Sequence, residues 1–125
     1  MAVMIPVEKI ARICNPFRSQ PWGIEITLHQ VRWALETGLI ENDPATENHA
    51  ARIAFFVKNE VDDPIEIDVG VPGLGCHVDW IVTDGNHRLA GAIYARRPLI
   101  KASVGGDLNY AKKLFGVDCE ERGQK

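Results

Sequence analysis

A chain of 125 residues with 46% hydrophobic content fits one domain with a packed core. Its formal net charge of -3 argues against a protein that coats nucleic acid indiscriminately, leaving only local basic spots for such contacts. Cys14, Cys76 and Cys119 are widely spaced with no Cys-x-x-Cys pair, which suggests neither a disulfide framework nor a zinc ribbon and fits reduced thiols in a cytoplasmic protein.

Pro6, Glu8 and Lys9 interrupt the opening, so no secretion signal is expected there, and no stretch is long enough to span a bilayer. Val3-Met4-Ile5-Pro6-Val7 reads as a short edge strand, because Pro6 has no N–H for a central ladder. Asn15-Pro16 breaks any helix begun at Glu8. After a loop over 19–25, a helix is expected over 28–36 with Leu28, Val31, Ala34 and Leu35 inward, Trp33 beside that stripe, and Gly38 as its stop. A second helix is expected over 45–59, capped by Thr46, with Ala50, Ile53, Ala54, Val57 and Val61 at helical spacing and Phe55 and Phe56 widening the buried face.

Asp62-Asp63-Pro64 ends that helix, and the alternation of Ile65, Ile67, Val69 and Val71 predicts a half-buried strand. Pro72-Gly73-Leu74-Gly75 reads as a hairpin turn with the return strand over 76–83; it lacks the lysine and following helix of a Walker loop. Beyond Arg96-Arg97-Pro98, a strand over 99–104 carries Ile100, Ala102 and Val104 on one face and Lys101 and Ser103 on the other. Asp107 is expected to cap a last helix with Leu108, Ala111, Leu114 and Phe115 on its apolar side, ended by Gly116. A polar tail over 119–125 follows.

Between the hairpin and the last strand stands Asp84-Gly85-Asn86-His87-Arg88, where the apolar period changes from strand to helix. Gly85 permits a sharp turn or a close ligand approach, and Asp84 or Asn86 can cap the helix that extends to Ala95. Unpaired amides, a partial positive charge, His87 and Arg88 then share one turn, a site shaped for an anion and above all for a phosphate. Against this stand plainer readings: His87 as a surface residue and Arg88 paired with Asp84 or Asp107.

Followed by Leu89-Ala90, this box resembles the glycine-x-x-arginine box of the ParB N-terminal domain. It is also similar to the glycine-cysteine-histidine-arginine box of sulfiredoxin and the aspartate-glycine-histidine-histidine-arginine box of free-serine kinases. The opening, apolar-Pro-Val-x-x-Ile followed by Asn-Pro-x-Arg, is similar to that of ParB-like domains. Across roughly the last half of the chain the element order resembles sulfiredoxin, with Asp63-Pro64-Ile65 at the proline-led strand and Asp107-Leu108 opening the terminal helix; the helix over 28–36 has no counterpart. The resemblance implies an α+β fold, a ParB/sulfiredoxin-like single domain over 1–118 with a small mixed sheet packed with helices. It further implies a phosphate loop of Gly85, Asn86, His87 and Arg88 that binds a nucleotide, whether ATP, ADP or CTP, accompanied by Mg2+.

Departures limit what carries over. Asn86 replaces the cysteine that sulfiredoxin chemistry needs, so sulfinic-acid repair is excluded unless another cysteine moves in. The chain ends at Lys125, so the helix-turn-helix that follows the nucleotide domain in chromosome-partitioning ParB proteins is not expected. Free-serine kinases have a second histidine at the Asn86 position and a distant glutamate as base; Glu47, Glu60 and Glu66 are equal candidates for the latter. A helix start contributes up to about 2 kcal/mol and a charge-assisted bond from Arg88 about 1.5 to 3 kcal/mol, against roughly 8 kcal/mol for a micromolar ligand, so further cations are needed and Lys101 is the first candidate.

The leading expectation is a small nucleotide-binding domain acting as a nucleotide hydrolase or phosphotransferase. A second is a ParB-like metal-dependent nuclease with Asp84 and His87 as catalytic residues beside a DNA phosphate, which the acidic net charge disfavours. A third is a non-enzymatic protein-interaction module of a mobile element.

Overall fold

The computed structural model describes residues 2–119. Its centre is a four-stranded sheet in the order β1-β4-β2-β3, formed by β1 (Val3–Pro6), β2 (Ile65–Asp68), β3 (Val82–Asp84) and β4 (Leu99–Gly105). β1 runs antiparallel to β4 and β3 antiparallel to β2, while β2 and β4 are parallel. A parallel pair needs a long crossover. Here the crossover carries β3 and the helix α5 (Asn86–Tyr94). Pro6 does lie on an edge strand, opposite Leu99, where its missing N–H costs no ladder bond.

Register brings the apolar positions onto one face. Ile5 faces Ile100, while Ile65 and Ile67 stand beside Ala102 and Val104. Against that face pack Val7 and Ile10 of α1 (Val7–Ile13), Leu89 and Ala92 of α5, and Ala111 and Phe115 of α6 (Leu108–Phe115). A second core joins Val31 and Ala34 of α3 (Leu28–Thr37), Ala50, Ile53 and Ala54 of α4 (His49–Lys58), and Ala90 of α5. α5 therefore serves both cores, and Leu89, Ala90, Gly91 and Ala92 are all buried. Gly91 sets how near α4 comes: a Cβ added there would stand 2.7 Å from Phe56 Cβ. Arg97, just past α5, closes the same pair by donating to the Phe56 and Val57 carbonyls at 2.7 and 2.9 Å, satisfying the C-terminal end of α4.

Several boundaries differ from those expected. Val7 already belongs to α1, and Asn15 caps the short α2 (Pro16–Ser19) by accepting from the Phe17 amide. Leu28 is 54% exposed, so the inward stripe of α3 begins at Val31, and Trp33 is exposed. α4 begins at His49, not at 45, because Asp43 accepts from the Ala45 amide and holds a turn there. Asn48, not Thr46, is its cap, accepting from the Ala51 amide at 3.0 Å. β2 stops at Asp68, whose carboxylate accepts from the Gly70 amide as the chain bends through positive φ. The return strand shrinks to Val82–Asp84, with an isolated Val71–Cys76 bridge around a tight turn at Pro72–Leu74. Asp107 caps α6 and Gly116 ends it, as expected. Cys119 packs into the sheet core at 6% exposure, and the remainder of the expected polar tail, 120–125, lies outside the described residues. Among the described residues no helix is long and apolar enough to cross a membrane.

Gly91→Val pushes a branched side chain into Phe56. It is expected to cost about 3 kcal/mol or more, read as a lower denaturant midpoint. Arg97→Met strips the α4 carbonyls of a charged donor and is expected to cost about 1.5 to 3 kcal/mol by the same measurement.

Candidate functional site

Gly85 turns the chain from β3 into α5 at φ 99, a conformation open to glycine and strained for other residues. Space demands glycine as well, since a Cβ would sit 2.5 Å from Ile65 Cγ2. The expected caps do not form, and no side-chain cap hydrogen bond is made at Gly85. Asn86 is drawn aside instead: its Oδ1 accepts from Trp80 Nε1 at 2.9 Å and its Nδ2 donates to the Val82 carbonyl at 3.4 Å. Asp84 pairs with Arg88 at 3.1 Å. Among the described residues no side chain caps the N-terminus of α5, the positive end of the helix dipole.

Arg88 is a clasp. Its Nη1 donates to the Asp63 and Pro64 carbonyls at 2.9 and 3.0 Å, and its Nη2 to Asp84, tying α5 to the start of β2. Its side chain is only 18% exposed. Lys101 is spent on Asp62, at 2.7 Å. Of the expected binding residues, Gly85, Asn86, His87 and Arg88 line one cavity of about 240 Å³ together with Asp84. Lys101 lines a neighbouring cavity of about 250 Å³, which shares Arg88 and Phe56 with the first.

The sequence reading missed Trp22, His49 and Arg52. His49, Arg52 and Phe56 lie at i, i+3 and i+7 along α4 and so share a face, the signal that was available. Trp22 sits in the loop between α2 and α3, where nothing in the sequence marks it. His49 Nδ1 and His87 Nε2 are 3.0 Å apart, while the ring centroids are 5.2 Å apart and the planes differ by 16°. Such rings lie end to end in nearly one plane. The Trp22 ring covers both, with centroid distances of 4.6 Å to His87 and 5.2 Å to His49.

Burial, then the positive charges of Arg52 and His49, push the His87 pKa down to about 4. That of His49 is also lowered, by burial and Arg52, with Glu47 opposing. At neutral pH His87 is therefore neutral, so a single N–H joins the pair, one ring donating and the other accepting. Arg52 lines the cavity too, and its Nε is buried with no hydrogen-bond partner among the described residues. An unmet buried guanidinium donor is costly. Among the described residues no group of three His, Cys, Asp or Glu side chains converges to hold a metal ion, so a Mg2+ ion here would rely mainly on water and ligand oxygens.

The fold is mixed α+β on a four-stranded sheet. No protein family, curated protein or solved structure matches the chain, and the resemblance to ParB and sulfiredoxin domains rests on the box and the element order.

Proposed function

We propose that this is a ParB/sulfiredoxin-type domain that binds a phosphate-bearing ligand, a nucleotide such as ATP, ADP or CTP with Mg2+ in attendance. The phosphate enters the cavity at the start of α5. One observation carries the reading: Arg52, whose Nε is buried with no hydrogen-bond partner among the described residues, lines the same cavity as the start of α5, where no side chain among the described residues forms a cap. Arg52 thus takes the part that sequence reasoning gave to Arg88 and Lys101, whose donors are engaged within the fold. A volume of about 240 Å³ suits a phosphoryl group, and the nucleoside extends beyond it. The helix start and the Arg52 bond together supply up to about 5 kcal/mol, so contacts to the rest of the ligand set the affinity. Asp84 and His87 line the same cavity and are the residues available to a phosphoryl-transfer step.

Calorimetric titration with ATP, ADP and CTP, with and without Mg2+, tests the proposal. Heat is expected with at least one of them, and Arg52→Met is expected to weaken binding roughly ten- to a hundred-fold, the equivalent of a charge-assisted bond. Absence of heat with every nucleotide overturns the reading. Arg88→Met is expected to act on stability, costing about 2 kcal/mol or more through the lost Asp63 and Pro64 bonds. A fully stable Arg88→Met variant that no longer binds would reverse the roles assigned to the two arginines.

A further inference from the structure

Trp22, His49 and His87 form a cluster against the cavity that simple phosphate docking does not require. We propose that His49 and His87 act as one proton-accepting unit of the anion site, taking up a proton from solvent when a doubly charged oxyanion enters the Gly85 cavity. The inference rests on the phosphate site proposed above and specifies the ligand it favours, a dianionic oxyanion.

Geometry makes the two rings a unit. Their inner nitrogens, His49 Nδ1 and His87 Nε2, share one N–H across 3.0 Å, which leaves His87 Nδ1 and His49 Nε2 as the outer nitrogens. A proton bound at the outer nitrogen of the donating ring makes that ring an imidazolium, and its inner N–H···N bond becomes charge-assisted. No other bond is made or broken. The Trp22 face lies over both rings and is placed to stabilise the resulting cation.

The surrounding charges explain why the proton waits for the anion. From α4, Arg52 acts on both rings and its Nε has no partner among the described residues. Glu47, just ahead of α4, acts on His49 in the opposite sense. On the α5 side, Asp84 and Arg88 are paired with each other. Burial together with the positive charge of Arg52 beside the rings therefore holds His87 neutral down to about pH 4. Two negative charges entering the cavity reverse that balance and favour the protonated pair. The sign follows by linkage. Anion binding raises the pKa of the pair, so affinity strengthens as pH falls from neutrality toward about 4, up to about tenfold for each unit by which the pKa is raised.

The test uses the full chain labelled with 15N and sulfate as the probe, because sulfate keeps both charges across the titrated range. Spectra are followed against pH with sulfate and with chloride at matched ionic strength. The backbone amides of Asn86 and His87 report occupancy, and the imidazole nitrogens of His49 and His87 report protonation. The expected result is that sulfate shifts the amides and raises the titration midpoint of both rings together, and that sulfate binds about tenfold or more tightly at mildly acid than at neutral pH. His49→Gln, which removes the second ring, is expected to shrink the sulfate-induced rise at His87. Amides that shift while the imidazole titration stays put would overturn the proton coupling and leave the phosphate site standing. Amides that do not respond would overturn the phosphate site and the coupling with it. Rings that titrate independently of each other in chloride would overturn the pair as a unit.

Discussion

The close crossing of α4 and α5 is the constraint on which the rest of the structure depends. α5 is wedged between the sheet core, which it meets through Leu89 and Ala92, and the α3–α4 core, which it meets through Ala90. A helix buried on both sides leaves no room for long side chains where its neighbours approach. Gly91 meets that demand against Phe56, and Gly85 meets it against Ile65 at the helix entry. The same Gly91 that weakens α5 as an isolated helix lets it pack closely enough to serve both layers.

That crossing also sets the chemistry. It places His49 and Arg52 of α4 against His87 at the start of α5, close enough for a 3.0 Å contact between the imidazoles. Two arginines stabilise the arrangement through carbonyl oxygens. Arg97 holds the C-terminal end of α4, and Arg88 holds the loop entering β2. Both are committed to the fold, while Arg52 Nε is buried with no hydrogen-bond partner among the described residues.

Burial of the histidine pair has a further consequence. A solvated imidazole near its ordinary pKa would be partly charged at neutral pH, and beside Arg52 that charge would be repelled. The inner N–H between the rings holds them nearly coplanar, a flat surface on which Trp22 lies. Arg52 and the first residues of α5 thus line the cavity beside neutral His87.

The sequence by itself determined the elements whose signals are local. Alternation marked β2, Pro6 marked an edge strand, Asp107 and Gly116 bracketed α6, and the change of period at Gly85 marked the strand-to-helix turn. Local signals misled where short side chains had rival uses: Asp43 holds a turn that delays α4, and Asn86 binds Trp80 where a cap was expected. Only the tertiary structure decided which cations are free. Arg88 and Lys101 look available in the sequence, but their partners Asp63, Pro64 and Asp62 come from a loop reached by folding. His49 and Trp22 join His87 from 38 and 65 positions away in the chain, by the packing of α4 on α5 and by a loop with no pattern of its own. Spacing along one element can be read in advance; the meeting of separate elements depends on how closely their surfaces fit.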